Sequence, residues 1–334
     1  MVAADAQWHV DKRKSILESN PEIKKLEGAF WGSAPCIVGL VCIQWYIWYL
    51  VNDMENYLLM GLIAYANANT LFYMLSTFIH ENSHGLILGF PLKWRVLSAV
   101  LIELGFCSFG EQWEYTIVHN IMHHPQLNDQ ARDSECPAEG HVAVVPEGPL
   151  KYLVFLVELL PLGTLLTQGQ LSNNAQHSQT KHMFYPWLIL VCTSLSVYAT
   201  LLYLGMYNAI LFAAWTTSLY SSRWCISLHG QSISEHYRHN FEPTQKGKFV
   251  APTHSTYYWL ENFIGFNTGY HDEHHTFANI AWYHLPKLKQ QFPEKFDNVN
   301  DRRYLALWWE WASNEFETTR FRICHQPTSK GNST

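Results

Sequence analysis

The run Tyr57-Leu-Leu-Met-Gly-Leu-Ile-Ala-Tyr-Ala-Asn-Ala-Asn-Thr-Leu-Phe-Tyr-Met-Leu-Ser-Thr-Phe-Ile79 carries no formal charge and leads directly into His80-Glu-Asn-Ser-His84. A helix needs about 20 apolar residues to cross a hydrocarbon core of ~30 Å, and this run is long enough. Its last turn then delivers two histidines at i and i+4, a spacing that puts both imidazoles on one helical face. The segment therefore reads as a membrane helix that hands a metal-ligand pair to the water on one side.

Working outward, Phe30–Val51 is a second charge-free run, with Trp45, Tyr46, Trp48 and Tyr49 crowded at its far end like an interfacial belt. The link Asn52-Asp-Met-Glu is short, so the two runs are antiparallel. Lys12, Arg13, Lys14, Lys24 and Lys25 precede the first run and place the N-terminus in the cytosol by the positive-inside rule. Two further apolar runs, 183–205 and 207–228, are joined by Gly205-Met-Tyr-Asn as another hairpin. Leu86–Gly110 is apolar but broken by Gly89, Pro91, Lys93, Arg95 and Glu103, and reads as an interfacial or re-entrant segment. Four crossings leave both termini on the cytosolic side. The expected organisation is a solvated or interfacial cytosolic arm over 1–28 and a membrane domain over 29–334. Its spans are about 30–51, 57–79, 183–205 and 207–228, and its helical cytosolic cap covers 80–182 and 229–334.

The bulk composition agrees. Of 334 residues, 15% are charged, against about 25% in soluble domains, while 48% are hydrophobic and 15% aromatic. The net charge of −6 and the absence of a long basic run give no support for nucleic-acid binding. Seven cysteines are scattered without a CxxC pair and read as packed thiols rather than a disulfide framework. The first thirty residues lack the apolar core of a cleaved signal peptide.

Two more histidine boxes follow the first. His119-Asn-Ile-Met-His123-His124 is compatible with one helical face, and Gly269-Tyr-His271-Asp-Glu-His274-His275-Thr-Phe277 places histidines at i, i+3 and i+4. With 18 histidines in the chain, a fixed three-histidine pattern arises by chance roughly 0.05 times. Three boxes on one predicted side of a membrane are not accidental. Their eight imidazoles are too many for one ion of roughly four to six ligands and suit two. Iron fits such a shell better than zinc, because it can activate dioxygen and break an unactivated C–H bond. A site at the interface suits a lipid whose head stays in water while its chain enters a tunnel. The sequence contains no phosphate loop, GxSxG elbow or dinucleotide fingerprint.

HxxxH, HxxxHH and HxxHH, in this order, resemble the membrane fatty-acid desaturase and hydroxylase superfamily. The Asp11-Lys-Arg-Lys-Ser-Ile-Leu-Glu-Ser-Asn-Pro-Glu-Ile-Lys-Lys-Leu block, Ser234-Glu-His-Tyr, Asn267-Thr-Gly-Tyr-His-Asp-Glu-His-His-Thr-Phe-Ala-Asn-Ile280, Leu285-Pro and the closing Arg-Ile-Cys-His-Gln are similar to the sphingolipid Δ4-desaturases within it. This resemblance implies an all-α, multi-pass endoplasmic-reticulum enzyme that takes O2 and two electrons and desaturates the sphingoid base of dihydroceramide at C4–C5. It implies two Fe ions, with cytochrome b5 and its NADH-dependent reductase as electron donors. No His-Pro-Gly-Gly haem motif occurs, so the donor is expected to be a separate protein. The implied metal ligands are His80, His84, His119, His123, His124, His236, His271, His274 and His275. His229, His239, His254 and His284 are expected to be non-ligands, and Asp272 and Glu273 to face away as outer or solvated groups. The second box departs from the pattern by one extra residue, with Asn120 at the usual first position, and Gln231 stands where a histidine is common. C4-hydroxylation, desaturation elsewhere on a lipid, and a metal or lipid carrier without turnover stay open.

Overall fold

The computed structural model describes residues 3–129, 132–133, 135, 150–164, 184–237, 250–313 and 323, and all elements below belong to these. They are helical, with isolated bridges such as Ser255 with Val299 and no strand among the described residues.

An N-terminal helix α1 (Ala4–Ser19) is followed by a 3-10 turn at Pro21–Leu26. Helices α2 (Ser33–Asn52) and α3 (Tyr57–Ser83) form the first hairpin. Helix α4 (Leu92–Phe106) and α5 (Glu111–Val118) follow, and α5 runs through a π turn at His119–His123 into His124–Gln126. Then come α6 (Leu150–Glu158), α7 (Phe184–Tyr203), α8 (Tyr207–Ser221), α9 (Ile226–His236), α10 (Trp259–Ile264), α11 (His271–Thr276), α12 (Leu285–Gln291) and α13 (Tyr304–Ser313).

Three helices, α2, α3 and α7, are long and apolar enough to cross a membrane. Their outer faces carry exposed Ile43, Leu50, Leu58, Leu62, Leu195 and Leu202, as a lipid-facing surface would. The run 207–228 is not one continuous helix. Helix α8 has 15 residues, about 22 Å at 1.5 Å per residue, and is followed by a turn and by α9. It nevertheless packs against α2, α3 and α7. Gly205, at φ 69°, makes the tight turn between α7 and α8.

Apolar packing inside a membrane supplies little driving force between helices, so polar contacts hold register. Asn67 on α3 donates to Gln44 Oε1 on α2 at 3.1 Å and approaches Thr216 Oγ1 on α8 at 3.5 Å, all buried. Glu103 near the end of α4 is likewise buried, accepting from Ser108, Gln112 and Ser194. Residues 86–110, expected to be interfacial or re-entrant, form α4 packed against α2, α3 and α7. The helix is closed by left-handed backbone at Cys107 (φ 52°).

Residues 3–28, expected to belong to a solvated or interfacial arm, are packed on the protein. Helix α1 docks on α11, with Ile16 and Ile23 buried beside Phe277, Ile280 and Leu285. In α10, Trp259 and Phe263 are exposed while Glu261 and Asn262 are buried. The closing Arg-Ile-Cys-His-Gln lies outside the described residues except for Ile323, as do His239 and, within the expected cap, residues 136–149 and 165–182.

Candidate metal centre

Five elements meet at one end of the bundle. The end of α3 supplies His80, with His84 at its cap, and the π turn and its continuation supply His119, His123 and His124. Helix α9 ends on His236, and α11 carries His271, His274 and His275. All nine histidines expected from the sequence are brought together. Ligand atoms of His80, His84, His119 and His274 lie within 4.8 Å of one another, and those of His123, His236, His271 and His275 do the same. His124 joins the first group, with its Nε2 3.1 Å from His119 Nε2 and 3.2 Å from His274 Nε2. Its ring also stacks on His275 at 4.4 Å, so the two groups adjoin.

The π turn explains how the longer second box keeps three histidines on one face. An α-helix advances about 100° per residue, which throws i+5 well away from i. A π turn, with its i→i+5 bonding, absorbs one extra residue, and such bulges recur at functional sites. Asn120 is not part of either group. Its Nδ2 donates to the backbone oxygens of Ser83 (2.5 Å) and Thr116 (3.0 Å), tying the second box to the end of the first. Gln231 also stays outside the groups and accepts from the Tyr73 hydroxyl at 2.6 Å.

The outward ring nitrogens have partners that set ring orientation. His123 Nδ1 is 2.9 Å from Asp133 Oδ1, His119 Nδ1 is 2.7 Å from Glu135 Oε1, and His271 Nδ1 is 3.4 Å from Glu235 Oε2. The Tyr115 hydroxyl lies 3.2 Å from His119 Nδ1 and 3.3 Å from His80 Nδ1. Such outer contacts fix the tautomer and leave Nε2 to face inward. The inward nitrogens then crowd one another. His80 Nε2 is 2.8 Å from His274 Nε2, His236 Nε2 3.0 Å from His271 Nε2, and His123 Nε2 3.3 Å from His275 Nε2.

These residues fit bound metal. Each close Nε2 pair accommodates at most one proton, and His84 Nε2 is buried without a hydrogen-bond partner. Burial, reinforced by neighbouring imidazoles, holds His119, His124, His274 and His275 well below the usual imidazole range. Neutral imidazole is the ligating form.

Asp272 and Glu273 are buried rather than solvated. Asp272 pairs with Lys12 of α1 (Nζ to Oδ1 2.8 Å, to Oδ2 2.7 Å) and accepts from Asn298 at 3.2 Å. Glu273 accepts from Ser255 (2.7 Å) and Tyr257 (2.8 Å). His9 of α1, between Thr276 Oγ1 (3.0 Å) and Thr253 Oγ1 (3.2 Å), sits 5.4 Å in ring centroids from His275. Spacing alone did not reveal His9, Lys12, Tyr115, Asp133 or Glu135. For Lys12 the only signal was the N-terminal block that contains it. Of the expected non-ligands, His229 bonds Ser222 O (3.1 Å) and stacks on Trp311, and His254 and His284 belong to neither group.

A cavity of about 470 Å³ opens against the centre. His80, His119, His236 and His271 form one wall, and Phe106, Tyr220 and Leu228 are among its apolar lining. Tyr115, Gln231 and Ser232 put polar groups between these.

Residues 55–308 match the family model described as fatty acid desaturase. Among curated proteins, the sphingolipid delta(4)-desaturase of Candida albicans is 25% identical, the alignment covering 96% of this chain and 86% of that one. The sphingolipid delta(4)-desaturase/C4-monooxygenase DES2 of Homo sapiens is 27% identical, covering 92% of this chain and 91% of that one. The sphingolipid delta(4)-desaturase DES1 of Drosophila melanogaster is 28% identical, covering 88% and 87%. No solved structure matches.

Proposed function

The chain belongs to the fatty acid desaturase family, and from that premise we propose that it desaturates the sphingoid base of dihydroceramide at C4–C5 to give ceramide. One hydrogen leaves each carbon, and O2, two electrons and two protons complete the balance as two waters. The observation that carries this reading is the convergence of nine histidines in two adjoining groups, four of which (His80, His119, His236 and His271) line a cavity that also has apolar residues in its wall.

His80, His84, His119, His124 and His274 hold one iron ion, and His123, His236, His271 and His275 the other. Bound there, iron supplies dioxygen activation and the oxidising power to break an unactivated C–H bond. The chain's own residues do the rest. Asp133, Glu235 and Tyr115 hold the imidazoles in their ligating tautomers. Phe106, Tyr220 and Leu228 receive the hydrocarbon and exclude water, while Gln231 and Ser232 meet the polar part of the base near the carbons that react. Positioning C4 and C5 against the centre is the largest contribution a rigid cavity makes.

The enzyme lies in the endoplasmic-reticulum membrane with α2, α3, α7 and α8 as spans, and with its termini and histidine boxes in the cytosol. The single end at which all nine histidines gather supports that sidedness. Electrons come from cytochrome b5 and its NADH-dependent reductase.

A second reading, C4-hydroxylation of the same base, is favoured by the double activity in the name of the human relative. Both outcomes begin with removal of one hydrogen. Expression in a yeast strain without its own C4 and Δ4 modification, followed by mass spectrometry of long-chain bases, tests both. A 4,5 double bond is expected. A C4 hydroxyl without it selects the second reading, and neither product with iron bound selects a carrier.

A further inference from the structure

One hydrogen-bonding group on the cavity wall has its direction set from behind. Gln231 of α9 lines the cavity, and its Oε1 accepts from the Tyr73 hydroxyl at 2.6 Å. An amide whose oxygen is held in this way turns its NH2 group, with two donors, to the other side. Among the described residues the side chain makes no other hydrogen bond, so both donors are left for what fills the cavity.

Tyr73 is 1% exposed and stands behind the wall rather than on it. Its phenol has one proton, which goes to Gln231. Its second contact, Thr268 Oγ1 at 3.4 Å, is therefore donated by the threonine, which also lines the cavity. Glycine at 265 leaves room for this cluster. A side-chain carbon there would collide with Thr268 Oγ1 and stand 3.1 Å from the Tyr73 hydroxyl.

Position along the helices says which part of a substrate meets these donors. Gln231 precedes the ligand His236 on α9 by about 7.5 Å of helical rise, and Tyr73 precedes His80 on α3 by about 10 Å. An oxygen read there lies several bonds from the carbon held at the centre. In dihydroceramide that is the amide carbonyl, which accepts and does not donate. The C3 hydroxyl adjoins the reacting C4 and is too near.

We propose that Tyr73 is a positioning residue, which turns the Gln231 amide so that its N–H groups meet the amide carbonyl oxygen of the substrate. This rests on the dihydroceramide reading above. The carbonyl is bound alike before and during the reaction, so the device acts on KM rather than kcat.

The test uses microsomes of a yeast strain without its own C4 and Δ4 modification, carrying the full-length protein and supplied with NADH. The substrates are dihydroceramide, its thioamide analogue, in which a poorly accepting sulfur replaces the carbonyl oxygen, and 3-deoxydihydroceramide. Wild type should show a KM about fivefold higher for the thioamide, the worth of one neutral hydrogen bond. Tyr73→Phe should raise KM for dihydroceramide about fivefold with kcat kept, and should treat dihydroceramide and the thioamide nearly alike. Tyr73→Phe combined with Gln231→Leu should be no worse than Gln231→Leu, because both act through one amide. Equal losses by Tyr73→Phe on dihydroceramide and the thioamide, or effects that add to those of Gln231→Leu, would make Tyr73 a packing residue and overturn the proposal. A wild type that takes the thioamide as readily as dihydroceramide would overturn it too, and discrimination against the 3-deoxy analogue alone would give the donors to the C3 hydroxyl. If Tyr73→Phe does not accumulate, Thr268→Val decides. It removes the other bond to the phenol and must weaken the discrimination against the thioamide; unchanged discrimination overturns the proposal. A wild type that makes no product from dihydroceramide would instead overturn the substrate reading itself.

Discussion

Lys12→Met tests whether the N-terminal helix is a working part of the metal site. Lys12 and Asp272 form a buried pair, with side chains 8% and 0% exposed and an Nζ–Oδ2 distance of 2.7 Å. Desolvation is expensive for both, so the pair is strongly stabilising only relative to losing one partner. Removing one partner of such a pair costs about 3–5 kcal/mol, because the other charge is left uncompensated. Asn298 still donates to Asp272 at 3.2 Å, which puts the expected loss near the lower end, about 3 kcal/mol. Replacing both partners, Lys12→Met with Asp272→Asn, should recover most of it, since two uncharged groups carry no buried charge. Thermal unfolding in lipid–detergent micelles, followed by intrinsic fluorescence, measures this. The single variant should melt well below wild type and the double variant between them, with iron lost from the single variant first. A single variant as stable as wild type, or a double variant no better than the single, would refute the argument that α1 locks α11 through a charge.

Other predictions address the centre and the cavity. Tyr115→Phe removes a hydroxyl shared by His80 and His119 and should weaken iron retention about tenfold while leaving the fold intact, as read by chelator competition and size exclusion. Asp133→Ala should loosen iron by about 10–100-fold, because it releases both His123 and the Glu135 backbone. Gln231→Leu should keep both irons but raise KM or shift the ratio of 4,5 double bond to C4 hydroxyl, since it changes the cavity wall and not the ligands. Unchanged kinetics and products would remove Gln231 from substrate positioning.

Much of this site was legible because its signal is local. The pair at 80/84 and the triplet at 271/274/275 fall on helix faces through spacing alone, 119/123/124 share a face only through the π turn, and Ser234-Glu-His-Tyr points to His236. The helical hairpins followed from charge-free length. What spacing could not show depends on contacts between distant segments. Lys12 and Asp272 are 260 positions apart, and nothing in a polar N-terminal stretch says that it will dock. Glu135 lies in a polar stretch where an acidic residue is ordinary. The π turn at His119–His123 was visible only as an extra residue in the second box, whose helical register was unknown. The run 207–228 reads as one span with Arg223 near its end, yet the chain leaves the helix after Ser221, where Ser222 and Cys225 form a turn and Arg223 meets buried Glu158. An apolar run sets where a chain can be buried, whereas a partner from another segment decides where a helix stops.

The account stands or falls on the metal. Purified full-length protein, analysed by inductively coupled plasma mass spectrometry against quantitative amino-acid analysis, should contain two iron atoms per chain, and His275→Ala should contain fewer. A single zinc per chain, or an iron content unchanged in His275→Ala, would contradict it.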